Sequence, residues 1–216
     1  MKKSYSFLFP SPGKYFLLLK LKTFFKKNGP FNLTYDIASA GFKYRSFFKT
    51  KSYVGYDLHE QALVEGYEKY SRPDDSYKCI DIRQWGDDVL ADCIVSTHTL
   101  GHFEVDEYMD IIKKLNSNLK KGGFLFLNIP VSKENIKIKH FFDCQYEKVY
   151  SRTYSGITST YFEAFFGTIS TKNSLIKVLP YALGVPFAFI NTLFIEFTGI
   201  TKLYGSYKVY ICYNKK

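Results

Sequence analysis

The chain has 216 residues, enough for one domain or one domain with a small appendage. Hydrophobic residues make up 46% and aromatics, nearly all Tyr and Phe, 19%, which excludes an intrinsically disordered chain. The net charge of +10 favours acidic partners such as anionic lipid headgroups and acidic glycans; with no RNA-recognition or zinc-finger signature, nucleic acid is not expected.

Residues 13–28 carry Lys14, Lys20, Lys22, Lys26 and Lys27 around Phe16, Leu17, Leu18, Leu19, Leu21 and Phe24, the pattern of a basic amphipathic helix that Gly29-Pro30 ends. Thr34–Ile37 is predicted as a short strand and Phe42–Lys49 as the start of a helix. Tyr53–Asp57 is a second strand, Glu60–Tyr70 a second helix, and Tyr77–Ile80 a third strand. Asp92–Ser96 is a nearly continuous apolar run, typical of a strand buried on both faces. Asp106–Leu119 places Tyr108, Ile111, Ile112 and Leu115 on one helical stripe. Lys121-Gly122-Gly123 reads as a turn before a fifth strand, Phe124–Ile129. This alternation predicts a Rossmann-like, doubly wound, mainly parallel sheet with helices on both faces.

Beyond residue 130, Val149–Tyr154 and Tyr207–Tyr213 look like two late strands. Residues 174–200 are strongly apolar and read as a helical insertion or lid; Pro186, Asn191 and Glu196 argue against a membrane span. The expected organisation is a basic helical segment over 1–30 and an α/β domain over 31–216. Met1-Lys2-Lys3 and the apolar residues after it are too short for a signal peptide. Cys79, Cys93, Cys144 and Cys212 form no C-x-x-C pair, and reduced thiols in a cytoplasmic protein are expected.

The chemistry concentrates after the first strand. Asp36 opens a turn of small residues, Ala38-Ser39-Ala40-Gly41, and the second strand ends in another acid, Asp57, 21 positions later. That is the spacing of a nucleotide-binding βαβ unit, in which backbone N–H groups approach the ligand and the second acid accepts ribose hydroxyls. Competing structural roles are a turn-capping Asp36 and a helix-capping Asp57. A nicotinamide dehydrogenase would carry G-x-G-x-x-G, and only Gly41 falls in this turn. Asp81 sits in a loop where a solvated acid is the alternative to ligand contact, and Trp85 is suited to stacking or to packing. His98 and His102 follow the buried fourth strand, at the edge where open α/β folds bind ligands; with no third ligand at recognisable spacing, no metal is expected.

Five segments, in order, resemble the class I S-adenosylmethionine-dependent methyltransferases. Asp36-Ile37-Ala38-Ser39-Ala40-Gly41 is similar to the family's first motif, an acid before a Gly-x-Gly turn. Tyr53–Leu58 resembles the second motif, Cys79-Ile80-Asp81-Ile82 the third, Ser96–Phe103 the Leu-Glu-His motif, and Leu119–Leu125 the Leu-Lys-Pro-Gly-Gly turn. The resemblance covers residues 33–130 and implies a seven-stranded sheet and S-adenosylmethionine as cofactor. It implies that Asp36, Ala38, Ala40 and Gly41 hold the methionine end, Asp57 and Leu58 the ribose, and Asp81 and Ile82 the adenine. Ser96 completes the cofactor set, and His98 is the candidate general base. Tyr44 and Arg45 are placed either at the cofactor carboxylate or on a surface helix. The pattern departs at Ala38 and Ala40, where glycine is usual, and at His98 and Gly101, where acids are usual.

The expected activity is methyl transfer to a small molecule or glycan, such as a cell-surface polysaccharide or lipid-linked precursor. The alternative is an inactive methyltransferase-like scaffold. The basic helix and the apolar 183–197 segment suggest peripheral association with an anionic membrane.

Overall fold

The computed structural model describes residues 12–97, 99–133, 136–154, 190, 194, 198 and 207–214. In chain order the elements are α1 (Pro12–Asn28), β1 (Phe31–Ile37), β2 (Thr50–Asp57), α2 (Glu60–Tyr70), β3 (Asp75–Cys79) and β4 (Ala91–Ser96). Then come α3 (Val105–Ser117), β5 (Leu119–Pro130), α4 (Ile136–Gln145), β6 (Tyr146–Tyr154) and β7 (Tyr207–Asn214). The chain divides into two units, one of residues 21–151 with 209–216 and the other of 1–20 with 152–208.

Seven strands form one sheet in the order β3-β2-β1-β4-β5-β7-β6. The pairs β1–β2, β2–β3, β1–β4 and β4–β5 are parallel, with Asp36 opposite Gly55 on one side and Val95 on the other. Strand order reverses between β1 and β4, so a crevice opens at their carboxyl ends. The apolar run of β4 is buried on both faces, with Cys93 and Ile94 fully covered. On one face, Tyr35, Ile37, Ile94, Leu125 and Leu127 pack with Tyr108, Ile112 and Leu115 of α3 and with Ile138 and Phe142 of α4. A capping box between Glu104 and Glu107 starts α3 by satisfying its first amides. On the other face, Phe24 of α1 lies 5.5 Å from both Phe124 and Phe126, and Phe25 lies 4.7 Å from Phe48. The apolar side of α1 is thus spent on packing: Phe16, Leu17, Leu21, Phe24 and Phe25 are buried, while Lys22, Lys26 and Lys27 are exposed. In the second unit, the ring of Phe16 lies 5.6 Å from Tyr154 and under the Arg152 guanidinium at 4.8 Å.

Three elements differ from expectation. The helix expected over 42–49 is a single 3-10 turn, Arg45–Phe47. Phe42 holds φ at 61°, which no right-handed helix admits. The Lys121-Gly122-Gly123 turn is a bulge inside β5, since Ala91 faces Leu119 and Cys93 faces Phe124. The α4 helix has no counterpart in the sequence reading. Between β3 and β4 the crossover carries no helix. Its role is filled by Trp85, which is buried and packs edge-on against Tyr35 and Tyr56 at 6.0 and 5.5 Å. Among the described residues, no helix is long and apolar enough to cross a membrane.

The tightest contact joins α2 to the turn after β1. A Cβ at Gly66 would sit 2.1 Å from the carbonyl oxygen of Gly41, so α2 can seat only with hydrogen at that position. Gly66→Ala is expected to lower stability by about 3 kcal/mol or more, as forced overpacking does. Gly86→Ala, where an added Cβ meets nothing, should stay within about 0.5 kcal/mol of the parent. Urea midpoints of the two variants check the contrast.

Candidate functional site

The turn after β1 is built from left-handed residues. Ala38, Ala40, Gly41 and Phe42 have φ of 60°, 44°, 80° and 61°. Alanine therefore occupies the very conformations that make glycine usual here, and it does so against the steric preference of an L side chain. The surroundings hold the turn in place. The Ala40 N–H donates to Asp57 Oδ2 at 2.8 Å, and the Ser39 N–H donates to the Tyr56 carbonyl at 2.9 Å. A Cβ at Gly41 would lie 2.6 Å from the Ala62 carbonyl oxygen, so this position admits only glycine. Gly55 of β2 leaves room for the Phe42 ring and the Ser39 hydroxyl, which an added Cβ would meet at 2.8 and 2.9 Å. The Phe42 ring consequently points under the turn, tilted against Tyr53 at 4.9 Å, and stays out of the crevice.

A cavity of about 420 Å³ opens at the carboxyl ends of β1 to β4. Of the residues singled out from sequence, Ala38, Ala40, Asp57, Leu58 and Ile82 line it. Asp36, Gly41, Asp81 and Ser96 lie outside its lining, and His98 falls outside the described residues. The lining also includes His102, Trp85, Thr97 and Thr99, together with His59, Tyr56, Ile80 and Phe103. His59 was not picked out in the sequence; its only signal there is adjacency to the strand-end acid. Asp57 Oδ1 accepts the His59 N–H at 3.0 Å, so each carboxylate oxygen holds one backbone amide and keeps a lone pair toward the cavity. Thr99 Oγ1 donates to the Ile37 carbonyl at 3.2 Å and ties the loop after β4 to β1. Among the described residues no group of three or more His, Cys, Asp or Glu is placed to hold a metal.

One end of the cavity is apolar and aromatic, formed by Ile80, Ile82, Trp85 and Phe103. Asp81 turns from it to Arg83, whose Nε and Nη2 both donate to Asp81 Oδ2 at 3.0 and 2.5 Å, and these hydrogen bonds hold its carboxyl below the usual range. Tyr56 and Lys78 both donate to Asp87 Oδ2 at 2.6 Å and anchor the loop that carries Trp85.

Beneath the turn lies a buried charged chain. Arg45 neither reaches the cavity nor lies on a surface helix: it is buried and grips Asp75 at 2.6 and 2.8 Å. Its guanidinium also lies 5.0 Å over the Tyr53 ring, and the Tyr53 hydroxyl donates to Asp36 Oδ2 at 2.7 Å. Burial pushes the Asp36 carboxyl up to about 7, against the pull of Tyr53 and with a further push from Asp57.

Comparison with known structures fixes the architecture. The N-methyltransferase NodS from Bradyrhizobium japonicum WM9, in complex with S-adenosyl-L-homocysteine, aligns with a TM-score of 0.63 at 15% identity. The match covers 73% of this chain and 87% of that one. NodS without that ligand aligns over 96% of this chain and 99% of its own, with a TM-score of 0.62 at 11% identity. The fold is that of the class I methyltransferases. A phosphoethanolamine N-methyltransferase of Haemonchus contortus, bound to phosphomonomethylethanolamine and S-adenosylhomocysteine, shares this class I fold. Its TM-score is 0.60 at 15% identity, over 99% of this chain and 56% of that chain. No protein-family model and no curated protein sequence matches.

Two stability experiments follow from this geometry. Left-handed alanine costs about 1–2 kcal/mol and glycine loses about 0.5–1 kcal/mol in chain entropy, so Ala38→Gly and Ala40→Gly should each stabilise by about 0.5–1 kcal/mol. Urea unfolding measures this. Asp36 has a folded value of about 7 against an ordinary 3.8, so between those limits the folded chain keeps a proton that the unfolded chain has lost. Stability therefore falls as pH rises through that window, and the loss is complete above it. Asp36→Asn, which still accepts from Tyr53, should match the parent near pH 4 and exceed it near pH 8 by about 4 kcal/mol. Denaturation curves at the two pH values compare them.

Proposed function

We propose that this chain is an S-adenosylmethionine-dependent methyltransferase acting on a small-molecule or glycan acceptor. The observation that carries the reading is the open cavity beside Ala38 and Ala40: their methyl groups line it without filling it, and Phe42 is turned away. In this reading the left-handed turn presents backbone to the methionine end. The free lone pairs of Asp57 accept the ribose hydroxyls, and Leu58 covers the sugar. Ile80, Ile82 and Trp85 take the adenine. The cofactor supplies a methyl group on a sulfonium, already activated for transfer. The chain supplies orientation and exclusion of water. His98 remains the proposed base for an acceptor hydroxyl, and His102 in the cavity wall stands close to it in sequence.

A polysaccharide or lipid-linked precursor is the proposed setting for the acceptor. The solved neighbours hold molecules as different as phosphomonomethylethanolamine and, in the plantazolicin methyltransferase BpumL, a triazolic desmethylPZN analogue. Peripheral association with an anionic membrane would draw on exposed Lys22, Lys26 and Lys27 by charge alone, because the apolar side of α1 is buried. Within the 174–200 segment, only Ile190, Phe194 and Thr198 are among the described residues, and all three are exposed. The second reading, an inactive scaffold, is favoured by alanine at both turn positions and by His98 standing where an acid is usual.

Calorimetry with S-adenosylhomocysteine tests the proposal, with quenching of the single tryptophan, Trp85, as an independent signal. Binding is expected, weakened about 10–100-fold by Asp57→Asn through loss of charged hydrogen bonds to the ribose. Folded protein that takes up no ligand at millimolar concentration would establish the scaffold reading instead.

A further inference from the structure

Asp36 is one residue from the cavity wall at Ile37 and two from Ala38, yet it lies beneath the turn. Its hydrogen-bond donor, Tyr53, is itself fully buried, with its ring against Phe42 at 4.9 Å and Phe48 at 5.2 Å. The titratable groups that interact with it, among the described residues, are Tyr53 and Asp57 from β2, Tyr44 from the segment after the turn, and Cys93 from β4. The nearby cation, Arg45, lies over the Tyr53 ring, and Asp75 of β3 already neutralises it. Asp36 thus has a dedicated hydroxyl donor but no cation of its own. A carboxyl in that state keeps its proton near neutrality until positive charge arrives. The cofactor brings such charge in its ammonium and its sulfonium.

Resting on the cofactor reading above, we propose that Tyr53 is a positioning residue that holds Asp36 for a cationic cofactor, and that cofactor binding releases the proton of Asp36. The balance is simple. The O–H bond of the Asp36 carboxyl breaks, its proton passes to solvent, and the carboxylate that remains keeps the Tyr53 hydroxyl as donor. No bond to the cofactor forms. Burial, which pushes Asp36 up to about 7, sets the pH range in which the exchange is visible.

The test is calorimetric titration of the full chain with S-adenosylmethionine, which carries both the ammonium and the sulfonium, in buffers of different protonation enthalpy, which counts the protons released. A fraction of a proton should be released at about pH 7, falling toward zero at about pH 9, where Asp36 is already ionised; affinity should rise over that range. Tyr53→Phe keeps the buried ring and removes the donor. It should move the midpoint up by about one pH unit and weaken binding several-fold at neutral pH, with affinity regained at high pH. A purely structural lesion would not be rescued by pH. Asp36→Asn should release no proton. Binding without proton release in the parent overturns the inference and leaves the cofactor reading intact. Release that persists in Asp36→Asn assigns the proton to another group and also overturns it. A Tyr53→Phe profile that superimposes on the parent removes Tyr53 from the role. Absence of binding at every pH overturns the cofactor reading and this inference with it.

Discussion

Everything at the site depends on one close approach between two backbones. Gly41 and Gly66 meet with no room for a side-chain atom on either, which seats α2 directly on the turn after β1. That contact sets the turn in its left-handed path, because Gly41 has Ala62 above it and Phe42 must dive into the space that Gly55 leaves. The strand ends can then stay open, since the bulky residue of the turn is drawn into the core on the α2 side. A turn that relaxed toward ordinary dihedrals would swing the Phe42 ring out of its place on Tyr53.

The same region holds an unusual density of buried charge. Arg45 and Asp75 form a bidentate pair with side chains almost wholly excluded from solvent. Removing one partner of such a pair costs about 3–5 kcal/mol, because the other is left buried and uncompensated. Asp36 lies one aromatic ring away and carries the opposite problem, a carboxyl held inside the protein with no cation of its own among the described residues. Stability alone would select an amide or an apolar residue there. A site kept at the expense of stability is the pattern expected where structure serves a ligand.

Much of this architecture was legible in the sequence, and the exceptions have physical causes. The strand–helix alternation and the acid-turn-acid spacing gave the sheet and the crevice, because a parallel strand buried on both faces leaves a continuous apolar run that few other elements imitate. Asp57 and the two alanines were legible for the same reason. The missing helix over 42–49 was not, since Phe42 is an ordinary helix residue and only the packing beneath β2 forces its φ positive. Nor was the fate of Arg45, whose partner Asp75 lies 30 positions away. Asp36 was readable as the acid at the end of β1 but its burial was not, because that depends on which side chain of the next strand, Tyr53, reaches it. His59 entered the cavity wall through the path of the chain after β2, which spacing alone does not convey.

The aromatic seam along α1 bears on how the chain reaches this state. Phe24 lies in α1, yet its partners Phe124 and Phe126 lie about a hundred positions later, on a strand near the middle of the sheet. Contacts so distant in sequence close late and slowly. Until β5 docks, the rings of Phe24, Phe25, Phe31 and Phe48 have one another and the Tyr53 ring for cover. An aromatic cluster that waits on a partner so far along the chain is a substrate for chaperones that hold apolar surface until that partner arrives.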